Sequence, residues 1–398
     1  MLGSLLILGR HPTLSIVEIE SLYSNNHIIE LINPQIARID MPASEINFSR
    51  LGGILKVSEL ISVNKNSQDL NILFEIIKKI TEDLTENTSS KINLGISSYG
   101  LNINLNELNQ LKLTLKKHLR TIGKSIRLIP NDTFDLSTAQ TYHNKLDLKN
   151  NIELIITYKN SSYFIARVTN VQDINEYSFR DRNRPKRDTR VGMLPPKLAQ
   201  IMINLASGDF NNGSASRPRL LDPFCGTGVV LQEALLMNYD VIGTDISPKM
   251  IDYSNLNIEW LREKFKIDSN LKSEIYLGDA TNIKWVNKPN IVVSEIYLGP
   301  PITTMPSLNQ IKEFNNDCQT ILKKFLINLH SQIPKGTQIC LAIPAWSINK
   351  DYLRLSLVDH LDEIGYNQKK FIANNNRPLI YHRPHQFVAR ELVVLRTI

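Results

Sequence analysis

The stretch Arg219-Leu220-Leu221-Asp222-Pro223-Phe224-Cys225-Gly226-Thr227-Gly228 decides how the second half of this chain folds. A short apolar run ends in an acid and a proline, passes two glycines one residue apart, and opens into Val229 to Met237 with apolar residues at helical spacing. That is a strand, a tight bend and a helix. Glycines in such a bend let the backbone turn sharply and approach a ligand with no Cβ in the way. The alternation continues outward. Strands are expected at Leu220-Leu221, Val241 to Thr244, Glu274 to Leu277, Ile291 to Val293 and Gln338 to Ile343. Helices are expected at Val229 to Met237, Pro248 to Phe265, Leu308 to Leu329 and Tyr352 to Ile364. Strands separated by helix-length segments imply an α/β fold with a parallel sheet covered on both faces. Lys370 to Ala373 and Phe387 to Leu395 read as strands joined by loop alone, so the sheet should finish with antiparallel strands.

Two small α+β units precede this region. In the first, Leu5 to Leu8 is a strand, Ile16, Val17, Ile19 and Leu22 mark a helix after Pro12, and Ile28 to Leu31 and Gln35 to Ile39 are strands. In the second, Leu70 to Leu84 and Leu105 to Leu119 are helices, Lys91 to Ser97 and Ile126 to Ile129 strands, and Ile152 to Tyr158 with Tyr163 to Val168 a hairpin around Asn160-Ser161-Ser162. Lys112, Lys116, Lys117, His118 and Arg120 cluster toward the end of the second of these helices. Between 171 and 196 hydrophobic periodicity is lost, and Arg180 to Arg190 is the most basic stretch of the chain. It reads as a linker before a helix opened by Pro195-Pro196, while Asn211 to Ser216 reads as a flexible loop. The expected divisions are 1–62, 63–170, a basic linker at 171–194, and 195–398.

Composition agrees with two or three globular domains, at about 150 residues each, in 398 residues. With 42% hydrophobic and 21% charged residues, collagenous, coiled-coil and wholly disordered chains are excluded. The net charge of +7 permits a polyanionic partner, although its distribution matters more than its sum. Three cysteines, Cys225, Cys318 and Cys340, form no disulfide framework and show no metal-site spacing, which points to a reducing compartment and no metal. The apolar start is cut off by Gly9-Arg10-His11-Pro12 and is far short of the ~20 residues of a membrane span, so no membrane association and a cytoplasmic location are expected.

The acids around the bend specify the ligand. A dinucleotide site needs a third glycine, but Leu231 stands there. Asp222 would repel a pyrophosphate yet suits a cationic, amino-bearing ligand such as S-adenosylmethionine. Asp245, beside Ile246 at the end of the next strand, can accept both hydroxyls of a ribose. Asp279-Ala280 ends the third strand and could contact adenine. Any one of these acids could merely cap a helix. Three at successive strand tips make a coherent cofactor site, which also takes in Pro223, Cys225, Gly226, Thr227 and Gly228.

Asp222 to Gly228 together with Asp245 resembles the cofactor motifs of class I S-adenosylmethionine-dependent methyltransferases. More of the chain resembles the THUMP-containing tRNA guanosine-10 methyltransferases. Leu8-Gly9-Arg10-His11-Pro12-Thr13-Leu14 resembles the start of that family's ferredoxin-like domain. Leu136-Ser137-Thr138-Ala139 and Ile165-Ala166-Arg167-Val168 resemble the end of its THUMP domain. Tyr177 through Arg184-Pro185 to Arg187-Asp188, with Leu194 to Ala199, resembles its linker and first methyltransferase helix, and Tyr381 to Glu391 its last strands. The resemblance implies a Rossmann-like methyltransferase sheet behind ferredoxin-like and THUMP units, with S-adenosylmethionine as cofactor and tRNA as partner. An activating subunit, the number of methyl groups added and the oligomeric state stay open. Lys112, Lys116, Lys117, Arg120, Arg182, Arg184 and Arg187 would supply phosphate contacts, which position an RNA without reading its sequence.

The fourth strand should carry the chemistry. In this family an Asp or Asn, two prolines and an aromatic residue follow it. An exocyclic amine is a poor nucleophile because its lone pair is delocalised into the base. Acceptors on its N–H groups favour the rehybridised amine, and the aromatic ring stacks on the extruded base. This chain has Ser294-Glu295-Ile296-Tyr297-Leu298-Gly299-Pro300-Pro301. Matching aromatic to aromatic puts Ser294 at the acid position, and matching the glycine puts Glu295 there. Chemistry favours Glu295 as acceptor and Tyr297 as stacking residue. Cys225, lying in the cofactor bend, reads as a small packing residue, and His382 and His385 as facing a loop or RNA backbone. A second reading is an RNA-binding protein whose methyltransferase site is inactive. A third, a DNA or small-molecule amine substrate, leaves the N-terminal units and the basic linker without a purpose.

Overall fold

In the C-terminal half, the apolar runs around Leu220, Val241, Ile291 and Gln338 are buried on both sides, as a sheet covered by helices requires, while Glu274 to Leu277 is a partly exposed strand. The computed structural model describes residues 3–65, 69–188, 193–208, 217–302, 304, 306–348, 351–383 and 386–398. Thr189, Arg190, residues 211–216, Pro384 and His385 lie outside them. The chain forms two units. Met1–Ile16, Ser24–Ser49 and Gly53–Glu176 make the first, and Val17–Tyr23, Arg50–Gly52 and Tyr177–Ile398 the second.

In chain order the first elements are β1 (Ser4–Leu8), α1 (Pro12–Tyr23), β2 (Ile29–Asn33), β3 (Ile36–Ile39) and β4 (Ile54–Lys65). They are followed by α2 (Leu70–Thr85), β5 (Ile92–Tyr99), α3 (Leu105–Thr121), β6 (Ile126–Leu128), α4 (Thr138–His143), β7 (Ile152–Lys159), β8 (Ser162–Val171) and α5 (Ile174–Arg182). The eight strands form one sheet in the order β2-β3-β1-β4-β8-β7-β5-β6. β4 pairs antiparallel with both β1 and β8, so the expected boundary at 62/63 falls inside a strand that joins the two α+β halves. Its sequence hides it. Lys56, Ser58 and Glu59 break the apolar run, and Lys56 is buried because its Nζ donates to Glu153 Oε1 at 2.6 Å and to the Leu136 carbonyl at 2.8 Å.

One expected phosphate contact is overturned here. Lys112 stands in line with Leu108, Leu115 and Leu119 on the buried stripe of α3, a spacing that puts all four on one helix face. It is 3% exposed and donates to Asn131 Oδ1 at 2.6 Å. Burial holds its pKa below the usual lysine value. Lys117 and Arg120 point to solvent and Lys116 is half-buried.

The second unit continues with α6 (Pro196–Ser207), β9 (Arg219–Asp222), α7 (Val229–Leu236), β10 (Asp240–Asp245), α8 (Pro248–Phe265), β11 (Ser273–Leu277), β12 (Ile291–Glu295) and α9 (Leu308–His330). β13 (Gln338–Ile348), β14 (Asp351–Leu353), β15 (Tyr366–Gln368), β16 (Leu379–Tyr381) and β17 (Val388–Thr397) complete it. The sheet order is β11-β10-β9-β12-β13-β17-β15, with β14 on β13 and β16 on β17. The first five run parallel, and β17 lies antiparallel to β13 along nine residue pairs. α9 starts at a capping box between Ser307 and Gln310 and buries Leu322, Phe325, Leu326 and Leu329 against Leu221, Val292 and Leu341 of the sheet. The antiparallel finish expected from the sequence is present.

Three local readings fail. Tyr352 to Ile364 is no α-helix: β14 pairs with β13, and 3₁₀ turns at Ser356–His360 and Asp362–Ile364 follow. Leu355, Val358 and Leu361 recur every third residue, which a 3₁₀ turn satisfies as well as an α-helix does. Lys370 to Ala373 leads into a 3₁₀ turn at Ile372–Asn374, and the strands on β17 are β15 and β16. The linker holds α5, whose Arg180 is buried by a two-point contact with Glu233, Nε to Oε1 at 2.9 Å and Nη2 to Oε2 at 3.3 Å. Among the described residues no helix is long and apolar enough to cross a membrane.

Candidate active site

Strand order in the second sheet reverses between β9, which is followed in sequence by its neighbour β10 on one side, and β12 on the other. Such a switch point opens a crevice at the carboxyl ends of the strands. Asp222 ends β9, Asp245 ends β10, Asp279 follows β11 and Glu295 ends β12, so four acids sit at four adjacent tips. With Pro223, Cys225, Gly226, Thr227, Ile246, Ala280 and Tyr297 they line one cleft of about 790 Å³.

The bend is built by hydrogen bonds from its own backbone. Cys225 N donates to the Thr244 carbonyl at 2.9 Å, and Gly228 N to the Cys225 carbonyl at 2.7 Å. Gly228 has φ +79°, and a Cβ there would lie 2.9 Å from Ser254 Oγ, so only glycine fits. Gly228 thus shapes the bend without lining the cleft. At Gly226 a Cβ would meet nothing within 4 Å, which leaves its backbone open to a ligand. Asp245 fixes the loop: Oδ2 accepts from Gly226 N at 3.0 Å and Oδ1 from Ser247 N at 2.9 Å. Asp279 Oδ1 accepts from Thr281 N and Oγ1 at 2.9 and 2.8 Å.

Asp222 is 2% exposed. Its Oδ1 accepts from Ser294 Oγ at 2.5 Å and from Phe224 N at 3.3 Å. Burial pushes its pKa up to about 7 despite these two donors, and the carboxylates of Asp245 and Glu295 add to the rise. A buried acid poised this way gains from a cation brought into the cleft. Ser294 is fully buried under β12's tip as the partner of Asp222, not a wall of the cleft. Of the two candidates for the acid position, Glu295 lines the cleft and Ser294 does not. Glu295 Oε1 accepts from Arg390 Nε. Burial raises the Glu295 pKa, while Arg390 and then Arg383 pull it back. Tyr297 is 40% exposed beside it. Cys225 is buried, its thiol held well above the ordinary pKa by burial and by Asp222 and Asp245, so it packs and does not attack.

Sequence reasoning missed the far wall. Asp188, Met193 and Leu194, the end of the linker, line the cleft, as do Lys249 and Met250 from α8 and Thr320, Ile321 and Lys324 from α9. Asn257, fully buried on α8, ties the linker down: Lys186 N donates to its Oδ1 at 2.9 Å, and its Nδ2 donates to the carbonyls of Lys186 and Thr227 at 3.0 and 2.9 Å. An asparagine in an apolar helical stripe was the available signal. Arg184 is 3% exposed and lies 3.8 Å from Asp181, so it too is removed from the phosphate contacts. Arg182 and Arg187 are exposed. His382 is half-buried and turned to the loop before β17, accepting from Tyr352 Oη at 3.0 Å and donating to the Gln386 carbonyl at 2.7 Å.

An open α/β sheet with acids at adjacent tips around a glycine bend defines a class I S-adenosylmethionine-dependent methyltransferase domain, and the residues present fit that cofactor. A family described as "RMKL-like, methyltransferase domain" matches residues 184–345. The tRNA (guanine(10)-N2)-dimethyltransferase of Methanothermobacter thermautotrophicus is 32% identical over 38% of this chain and 39% of its own length. The enzyme of the same name from Methanocaldococcus jannaschii is 27% identical over 74% of this chain and 80% of its own. The "Probable tRNA (guanine(10)-N2)-dimethyltransferase" of Methanothermococcus thermolithotrophicus is 33% identical over 32% of this chain and 74% of its own length. Among solved structures, TrmN from Thermus thermophilus shares the fold over 99% of both chains, with a TM-score of 0.56 and 15% identity. The chain belongs to this family of S-adenosylmethionine-dependent tRNA methyltransferases.

Proposed function

We propose that this protein methylates the exocyclic amine of a guanosine in tRNA, at the nucleotide corresponding to guanosine 10. The observation that carries this is the entry of Glu295 and Tyr297 into the same cleft as Asp222, Asp245 and Asp279. The relatives' names point to the guanine amine. Bound in the cleft, S-adenosylmethionine supplies a methyl group made electrophilic by its sulfonium. Asp245 accepts the two ribose hydroxyls while it holds the Gly226 loop. Asp222 faces the cationic amino end, and Asp279 with Ala280 and the exposed Ile246 faces the adenine. Tyr297 stacks on the extruded base. Glu295 would accept an N–H of its amine, so that the nitrogen lone pair is available as the N–C bond forms and the S–C bond breaks to leave S-adenosylhomocysteine, and the carboxylate would stabilise the positive charge on the nitrogen until its surplus proton passes to the carboxylate or to water. Lys116, Lys117, Arg120, Arg182 and Arg187 contact phosphates, and the N-terminal sheet, with its ferredoxin-like and THUMP resemblances, captures the tRNA in the cytoplasm.

The departure of Ser294-Glu295-Ile296-Tyr297-Leu298-Gly299-Pro300-Pro301 from the family's acid, two prolines and aromatic favours one alternative, an RNA-binding protein that no longer transfers methyl groups. Mass spectrometry of nucleosides from tRNA incubated with protein and labelled cofactor separates the two. N2-methylated guanosine is expected, and its absence alongside measurable cofactor binding supports the alternative. Glu295→Gln and Tyr297→Ala should each cut turnover at least about tenfold and leave cofactor affinity unchanged. Loss of affinity instead would move both residues out of the acceptor side.

A further inference from the structure

We propose that Arg390 is a positioning residue for this reaction: by holding Glu295 Oε1 it turns Oε2 of the same carboxylate toward the amine of the target base. The inference rests on the function proposed above. Arg390 lies on β17, two strands from Glu295 on β12. Register explains how they meet. Glu295 pairs with Ala342 on β13, Arg390 pairs with Pro344, and residues two apart on a strand face the same side. Glu295, Ala342, Pro344 and Arg390 therefore share one face of the sheet.

Arg390 is itself held. It is 3% exposed, and its Nη1 donates to Gln386 Oε1 at 3.5 Å. The Gln386 carbonyl accepts from His382 Nε2 at 2.7 Å, and His382 Nδ1 accepts from Tyr352 Oη at 3.0 Å. A chain of contacts thus runs from Tyr352 through the segment before β17 to the acid at the tip of β12. It gives Tyr381 to Glu391, far away in sequence, a reason to accompany this site.

The hold also acts on the charge. Burial alone favours the protonated carboxyl, which would donate where the amine needs an acceptor. Arg390 opposes that most strongly, and Arg383 next. The other ionisable groups that line the cleft with Glu295 are Asp222 from β9, Cys225 in the bend, Asp245 from β10, Asp279 after β11, Lys324 from α9, Asp188 and Lys249 across the cleft, and Tyr297 in its own loop.

The test uses full-length Arg390→Met and Arg390→Lys with two readouts. One is the pH profile of single-turnover methyl transfer at saturating cofactor and tRNA. The other is the Glu295 carboxyl titration by infrared difference spectroscopy against Glu295→Gln, which needs no turnover. If the wild type transfers no methyl group, the proposed function fails and the titration still decides the role of Arg390. In Arg390→Met both the acidic limb and the carboxyl titration should rise by a pH unit or more, about a tenfold rate loss on that limb, with S-adenosylhomocysteine affinity unchanged. Arg390→Lys should restore most of the shift. A titration that stays put in a variant that still binds the cofactor product overturns the proposal. Should Arg390→Met fail to fold, Gln386→Leu must move the titration in the same direction, and an unmoved titration there overturns it equally.

Discussion

Replacing Asp245 by alanine should weaken cofactor binding by roughly a hundredfold while the protein stays folded. Both carboxylate oxygens already accept a backbone N–H, from Gly226 at 3.0 Å and Ser247 at 2.9 Å. Each keeps further lone pairs for a ribose hydroxyl. Hydrogen bonds to a charged group contribute about 1.5–3 kcal/mol each, so losing two to the ribose costs about 3 kcal/mol at the low end. At 1.4 kcal/mol per tenfold that is about two orders of magnitude in Kd. Stability should suffer less, because Asp245 is half-exposed and water can reach the two amides it abandons. Asp245→Asn keeps the shape and one acceptor oxygen, and should fall between, near tenfold. Isothermal titration with S-adenosylhomocysteine at pH 8 measures this without any methyl acceptor. A Kd for Asp245→Ala within about threefold of wild type, in a variant with an unchanged melting temperature, would refute the ribose assignment.

Asp222 makes binding and stability depend on pH in opposite senses. Its folded pKa of about 7 stands above the unfolded carboxyl value of 3.8, so between those pH values the folded state holds the extra proton. Stability of the free protein should therefore fall as pH rises through that window, by up to about 4 kcal/mol, and level off above it. Thermal melts should show this slope flattened in Asp222→Asn. Cofactor affinity should instead strengthen from pH 6 to 8 as the carboxylate ionises against a cationic ligand, and a flat profile would remove Asp222 from that contact. In α3, Lys117→Ala or Arg120→Ala should lower the slope of log tRNA affinity against log salt by about one unit each. Lys112→Met should leave that slope alone and destabilise the protein by about 1–3 kcal/mol, because it strips Asn131 of its buried donor; filter binding at graded salt and urea melts separate the two outcomes.

Much of the site could be read along the chain because its parts lie at strand ends, and strand ends announce themselves locally. Asp222, Asp245 and Asp279 each close an apolar run, and parallel strands in helix-separated order must bring their tips together. The spacing of Gly226 and Gly228 likewise declares a bend that a Cβ would block at Gly228. The burial of Lys112 was also legible in principle, since 108, 112, 115 and 119 fall on one helix face, but a basic cluster drew the eye to charge before phase.

What the sequence alone determined was the class of fold and the cofactor pocket, because short-range alternation and turn chemistry specify strands, helices and the order of their ends. Tertiary structure decided which charges are free. Whether Ser294 or Glu295 faces the cleft turns on a hydrogen bond to Asp222, 72 positions earlier in the chain. The partner that holds the Glu295 carboxylate is Arg390, 95 positions later. Arg184 looked like an RNA contact until Asp181 and the surrounding side chains enclosed it. A charge costs free energy to bury and is cancelled only by partners that folding brings close. Those partners have no fixed distance along the chain, so no local pattern could reveal them.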